Sequence, residues 1–150
     1  MKGDKYGNTL ILANEGYGFK KFDISDISQP VLLAAAIYTA NAPGFCQDLK
    51  FSANGNYIYG LFQTYEQFRI YDANTLALVG FIQDIGGVGY GTTDMLVWGN
   101  KVYIDANTGS GDSLLVIDVT APAIPFIDTS FQINVNDMKM NNNGKLFLCN

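Results

Sequence analysis

Three aspartates stand at matching points of the chain. Asp48-Leu49-Lys50, Asp94-Met95-Leu96 and Asp137-Met138-Lys139 recur 46 and 43 residues apart. Carboxylates repeated at one position could form an acidic collar that binds a cation or a basic peptide. The same side chain also accepts backbone N–H bonds and fixes the start of a strand. Recurrence in every unit favours that second role, because a repeated buried donor needs a repeated acceptor. Asp23, Asp72 and Asp118 form another series, each closing an apolar run: Phe22-Asp23-Ile24, Tyr71-Asp72-Ala73 and Ile117-Asp118-Val119. Turn capping accounts for these.

Other constellations carry less chemistry. Asp105-Ala106-Asn107-Thr108-Gly109 with Asp112 has the alternating oxygens of a calcium loop, but its twelfth position is Val116, where a bidentate carboxylate is needed. A Gly-rich turn fits the segment better. Gly87-Val88-Gly89-Tyr90-Gly91 has the wrong spacing for a dinucleotide fingerprint, and no strand-to-helix transition follows it. The chain has no His, which excludes a His base, a His metal ligand or a Ser-His pair within it. Cys46 and Cys149 have no metal-type spacing and no activating neighbour, so both read as small half-buried thiols. No catalytic residue, metal ligand or cofactor site is assigned.

These residues need a scaffold, and composition restricts its kind. Of 150 residues, 48% are hydrophobic and 15% charged, which excludes a disordered tail. Ten Phe and nine Tyr, punctuated by 16 Gly, favour strands over helices. A net charge of −5 without any basic run disfavours nucleic acid and anionic membrane surfaces. The longest apolar stretch, residues 31–38, is too short to span a bilayer. Met1-Lys2-Gly3-Asp4-Lys5 has no apolar run behind its charges and is not expected to be a secretory leader.

The turns reveal a repeat. Gly7-Asn8, Gly55-Asn56, Gly99-Asn100 and Gly144-Lys145 each precede an apolar run, with steps of 48, 44 and 45 residues. Each period holds four short strands, A to D. In the second repeat these span residues 48–52, 57–62, 68–72 and 77–83; in the third, 93–97, 102–106, 114–118 and 125–130. The run Val31-Leu32-Leu33-Ala34-Ala35-Ala36 has helix propensity, but it occupies a D slot and is expected to be a strand. Four-stranded units of this length match the blades of a β-propeller. The fold class is therefore all-β: a propeller segment of about three four-stranded antiparallel blades in an incomplete ring. The repeats are placed at residues 7–47, 48–92 and 93–136, with a partial one at 137–150, and the first is expected to begin at its B strand, Thr9–Ala13.

Leu115-Val116-Ile117-Asp118-Val119-Thr120-Ala121-Pro122, followed by Ile124-Pro125, resembles the LVIVD repeat. Residues 22–32 carry the same signature, with Ile27 where that family often has proline. Asn54-Gly55-Asn56-Tyr57-Ile58-Tyr59 with Ile70-Tyr71-Asp72 is similar to the related YVTN repeat. The resemblance implies a β-propeller of surface or secreted proteins. It carries over no catalytic residue.

Blade topology puts the D–A and B–C links on one face, the top. These are residues 41–47, 86–92, 64–67 and 107–112, and they vary where the bottom turns repeat. Asp48, Asp94 and Asp137 at the strand tops, with Tyr17, Tyr65 and Tyr90 in the links, are the candidate ligand-binding residues. The expected function is a noncatalytic module for protein or glycan interaction. The alternative is part of a propeller enzyme, a metal-dependent hydrolase or an oxidoreductase, with catalytic residues in other blades. A third possibility is a purely structural spacer. Both ends cut a repeat, so a segment of a longer protein is expected; a complete chain would instead require self-assembly of copies.

Overall fold

The computed structural model describes residues 2–14, 18–36, 45–63, 66–85, 94–108, 111–135 and 137–149. Short apolar runs ended by Gly or Asp cannot bury a face alone, so they pair into small sheets that stack. The first sheet comprises β1 (Gly3–Tyr6), β2 (Thr9–Ala13), β3 (Phe19–Asp23) and β4 (Val31–Ala36), in that order. The second comprises β5 (Cys46–Phe51), β6 (Tyr57–Phe62), β7 (Gln67–Asp72) and β8 (Leu78–Ile82). The third comprises β9 (Met95–Trp98), β10 (Lys101–Thr108), β11 (Gly111–Asp118) and β12 (Phe126–Gln132). A two-stranded sheet follows, β13 (Asp137–Met140) with β14 (Leu146–Cys149). All pairings are antiparallel meanders, which is the blade topology expected from the repeats.

The start of the first blade departs from expectation. The first blade does not begin at Thr9–Ala13: Gly3–Tyr6 pairs with it from Gly3↔Leu12 to Tyr6↔Thr9 and supplies the missing inner strand. The polar segment Gly-Asp-Lys-Tyr has no apolar alternation, but β2 needs a hydrogen-bonding partner on that side. The Ala-rich run is strand β4, as its slot requires. A sheet neighbour outweighs intrinsic helix propensity there. A bulge recurs at one register of the C–D pairing in all three blades, between Lys21 and Phe22, Ile70 and Tyr71, and Val116 and Ile117. It bends each outer strand and increases local twist.

The inner strands pack side by side, β1 against β5, β5 against β9, and β9 against β13. Among the described residues, three cores lie between the sheets, the smallest of them Leu114, Val135 and Met138 between the third blade and the two-stranded sheet. Ile11, Phe19, Leu49, Ile58, Phe62 and Tyr71 fill the seam of the first and second. Tyr59, Ile70, Met95, Ile104, Leu115 and Ile117 contribute to the seam of the second and third. The outermost strand β12 is exposed along its whole length.

Bottom turns are tight and share one device. Gly7, Gly55, Gly99 and Gly144 have φ of 56°, 74°, 58° and 73°, a left-handed backbone that other residues adopt at a cost. The C–D turns use the second aspartate series as read from the sequence. Asp72 Oδ1 accepts N–H bonds from Asn74 (3.0 Å) and Thr75 (2.8 Å). Asp23 Oδ1 accepts from Ser25 N (2.8 Å), and Asp118 Oδ1 from Thr120 N (2.8 Å). The Lys101 ammonium and the Thr120 bonds hold the Asp118 carboxyl down to about 2.

Candidate functional site

The candidate site lies where the inner strands reach the top of the blades. Asp48 pairs with Leu61, the Asp94 carbonyl accepts a bond from Asp105 N, and the Lys2 carbonyl accepts one from Ala13 N. Leu61, Asp105 and Ala13 stand at one level of their B strands, so Lys2, Asp48 and Asp94 occupy equivalent positions in three consecutive blades. Asp137 pairs with Cys149 at the same level of the fourth sheet and is exposed.

The collar is therefore interrupted by a cation. Lys2 Nζ lies 3.2 Å from Asp94 Oδ1 and 4.0 Å from Asp48 Oδ2, and Lys50 Nζ lies 3.7 Å from Asp48 Oδ2. Asp48 is fully buried. Its Oδ1 accepts from Leu49 N (2.8 Å), and its Oδ2 accepts from Met95 N (3.1 Å) in the next blade. Burial raises its pKa; Lys50, Lys2 and the Leu49 amide oppose the rise. Asp48 thus fixes strand starts and ties two blades together, the structural role weighed against ligand binding.

Asp4 was not singled out in the sequence, yet its Oδ2 accepts from Phe51 N at 2.7 Å, another link from one blade to the next. Both hooks, Asp4 to Phe51 and Asp48 to Met95, span 47 residues. That common span was the available signal. A cavity of about 340 Å³ follows the inner strands, with Asp4, Lys50, Phe51, Asp94, Met95 and Met138 in its wall.

Asp105, on β10, faces the same end. The region weighed as a calcium loop is a hairpin whose strands stay paired as far as Thr108↔Gly111. Burial, with the charges of Asp112 and Asp94, pushes the Asp105 carboxyl up to about 6 despite Lys2. The folded protein therefore holds this proton more tightly than the unfolded chain. Its contribution to stability grows as pH falls from about 6 towards 3.8 and is absent above that window. Asp105→Asn is expected to raise the urea midpoint at pH 7.5 and to flatten its dependence between pH 4 and 6. An unchanged slope would show that Asp105 titrates normally.

Tyr17, Tyr65 and Tyr90 lie outside the described residues, as do most of the top links. Among the described residues, no group of three or more His, Cys, Asp or Glu is arranged to hold a metal ion. The thiols differ from the half-buried pair expected: Cys46 is buried and Cys149 exposed. Burial in the core between the first and second blades raises the Cys46 thiol pKa, aided by the Asp48 charge. Arg69 is also buried. Its Nε donates to Gln67 Oε1 (2.8 Å), and its guanidinium lies 6.0 and 5.8 Å from the Phe62 and Phe81 ring centres.

No family model matches the sequence, and no curated protein matches it. Solved structures do. A protein named putative 6-phosphogluconolactonase from Bacteroides uniformis superposes with a TM-score of 0.73 at 16% identity, over 93% of this chain and 43% of that one. Its namesake from Bacteroides fragilis gives 0.67 at 18% identity, over 87% and 38%. Saccharomyces cerevisiae Sqt1 gives 0.70 at 7% identity, over 94% and 38%. Identities this low establish the fold alone, a β-propeller segment. The chain spans less than half the length of the structures it matches.

Proposed function

We propose that this chain is a noncatalytic segment of a surface or secreted β-propeller of the LVIVD-repeat kind, and that it recognises protein or glycan through its top face. The supporting observation is the difference between the two ends of the blades. At the bottom, every A–B turn uses one left-handed glycine. At the top, the D–A connections run over residues 37–45, 83–94 and 133–136 and share neither length nor sequence. A rigid scaffold with variable connections at one end is the usual platform for recognition. The charged groups at the strand tops suit this reading, since Asp48 and Asp94 are engaged by Lys2, Lys50 and backbone amides.

Tyr90 belongs in sequence to a D–A connection, and Tyr17 and Tyr65 belong to B–C links at the same end; these are the proposed contact residues, with Asp137 at the margin. The test uses the intact protein that carries this sequence, probed on a glycan array and a displayed-peptide library. The triple change of these tyrosines to alanine should leave the melting temperature within a few degrees and reduce the selected signal at least tenfold. Undiminished binding would refute the top-face reading. Turnover of a lactone or phosphate ester that persists in the triple variant would favour the enzyme alternative.

A further inference from the structure

The seams between blades are closed at the bottom in two cases and open in one. Tyr6, Ser52 and Trp98 hold one position at the end of the inner strand. Tyr6 pairs with Thr9 and Trp98 with Lys101, while Ser52 N donates to Tyr57 O. Thr9, Lys101 and Tyr57 in turn pair with the turn aspartates Asp23, Asp118 and Asp72. In the first seam the Tyr6 ring lies directly against Gly55 of the following turn and packs 5.8 Å from Phe51. In the last, the Trp98 indole covers Gly144, with Nε1 3.3 Å from where a Cβ would stand. The middle seam has Ser52 in place of the aromatic. The facing glycine, Gly99, has nothing within 4 Å of its Cβ position. A cleft of about 250 Å³ remains.

Its lining is specific. Tyr57 and Tyr59 supply aromatic surface where the first blade has Thr9 and Ile11 at the same registers. Tyr59 is 3% exposed. Burial and the neighbouring Tyr57 push its hydroxyl up to about 12, so it remains a neutral donor and acceptor. Asn54 uses its Oδ1 on Ser52 Oγ (2.8 Å) and Asn56 N (3.0 Å), which leaves its amide N–H groups as donors. The Asn100 side chain makes no hydrogen bond among the described residues. Among the described residues, no Asp, Glu, Lys or Arg lines the cleft.

We infer that this cleft is a binding site for one neutral sugar ring. At roughly 30 Å³ per water it holds about eight waters, below the range of about 300–1,000 Å³ for drug-sized ligands. An anion finds no cation here, and a cation finds no carboxylate. A polyol needs donors and acceptors side by side, which amides and phenols supply, while its C–H faces suit tyrosine. The site stands at the opposite end from the proposed recognition face and does not depend on it.

The test is saturation-transfer NMR on the intact protein with the methyl glycosides of glucose, galactose, mannose and N-acetylglucosamine. At least one should bind saturably with a Kd near or below about 5 mM, a few kcal/mol of affinity. Ser52→Trp restores the plug of the other seams and should weaken that binding at least tenfold, with the fold checked by circular dichroism. Asn100→Ala removes only an exposed turn amide and should also weaken it at least tenfold. The triple tyrosine variant of the top face should bind unchanged. Absence of saturable binding by all four sugars would overturn the proposal, as would equal binding by both cleft variants. Preference for glucuronate, glucose 6-phosphate or a proline-rich peptide would overturn it too.

Discussion

Asp48→Ala should destabilise the fold by about 3–4 kcal/mol, within the cost of leaving buried donors and charges without partners. The Leu49 and Met95 amides that Asp48 satisfies belong to residues 0% and 1% exposed, so water cannot replace it. Lys50 and Lys2 would also lose a counter-charge. Asp48→Asn keeps one carbonyl acceptor and avoids burying a charge, but its Nδ2 turns a donor towards the second buried amide, so its cost should be about 2 kcal/mol. Its pH signature is distinct. Burial raises the native Asp48 pKa, so wild-type stability gains from this group as pH falls through the native pKa towards 3.8 and loses that gain as pH rises through the native pKa. The asparagine variant should lack this component. Urea titrations at several pH values read both effects, and an alanine variant within about 0.5 kcal/mol of wild type would refute the blade-to-blade role.

The second large effect belongs to Tyr71. It is fully buried, with its ring centre 5.1 Å from Phe19 at 67° and 6.1 Å from Phe62 at 63°. These edge-on contacts bridge β3 of the first blade and β6–β7 of the second. Its hydroxyl also bonds Arg69, although burial raises its pKa overall. Tyr71→Ala leaves a cavity at this seam and should cost about 4 kcal/mol. Tyr71→Phe keeps the ring and should cost about 1 kcal/mol for the lost hydrogen bond. Hydrogen exchange should show β2 and β3 losing protection in the alanine variant before β10 and β11 do. A uniform loss would mean that the blades unfold as one unit.

Strands were legible wherever a glycine turn and a terminal aspartate framed an apolar run. That is why β6, β7 and β11 fall within a few residues of their expected places. Strand β4 was recoverable despite its alanines because the period fixed its slot. Strand β1 was not, because Gly3–Tyr6 lacks a pattern of its own and is a strand only by pairing with β2. The candidate site was half readable. Asp48 and Asp94 announce themselves by repetition, and so does the structural use of such carboxylates. Lys2 does not: its meeting with Asp94 depends on which inner strands adjoin in space. The cleft escaped notice for a related reason. Its emptiness depends on Ser52 standing where Tyr6 and Trp98 stand in their blades, and only the strand register aligns those three.

Strand β12 has a consequence for handling the protein. Seven successive residues are exposed, including Phe126, Ile127 and Phe131, and Asp128 is their only charge. The Lys101 ammonium, 3.0 Å away but also 2.8 Å from Asp118, offsets that charge in part. An outer strand so equipped is adhesive, a template on which another chain's strand can be added edge to edge. Edge-on addition at this strand is thus opposed locally by one partly offset carboxylate, and high salt, by screening the repulsion that remains, favours association.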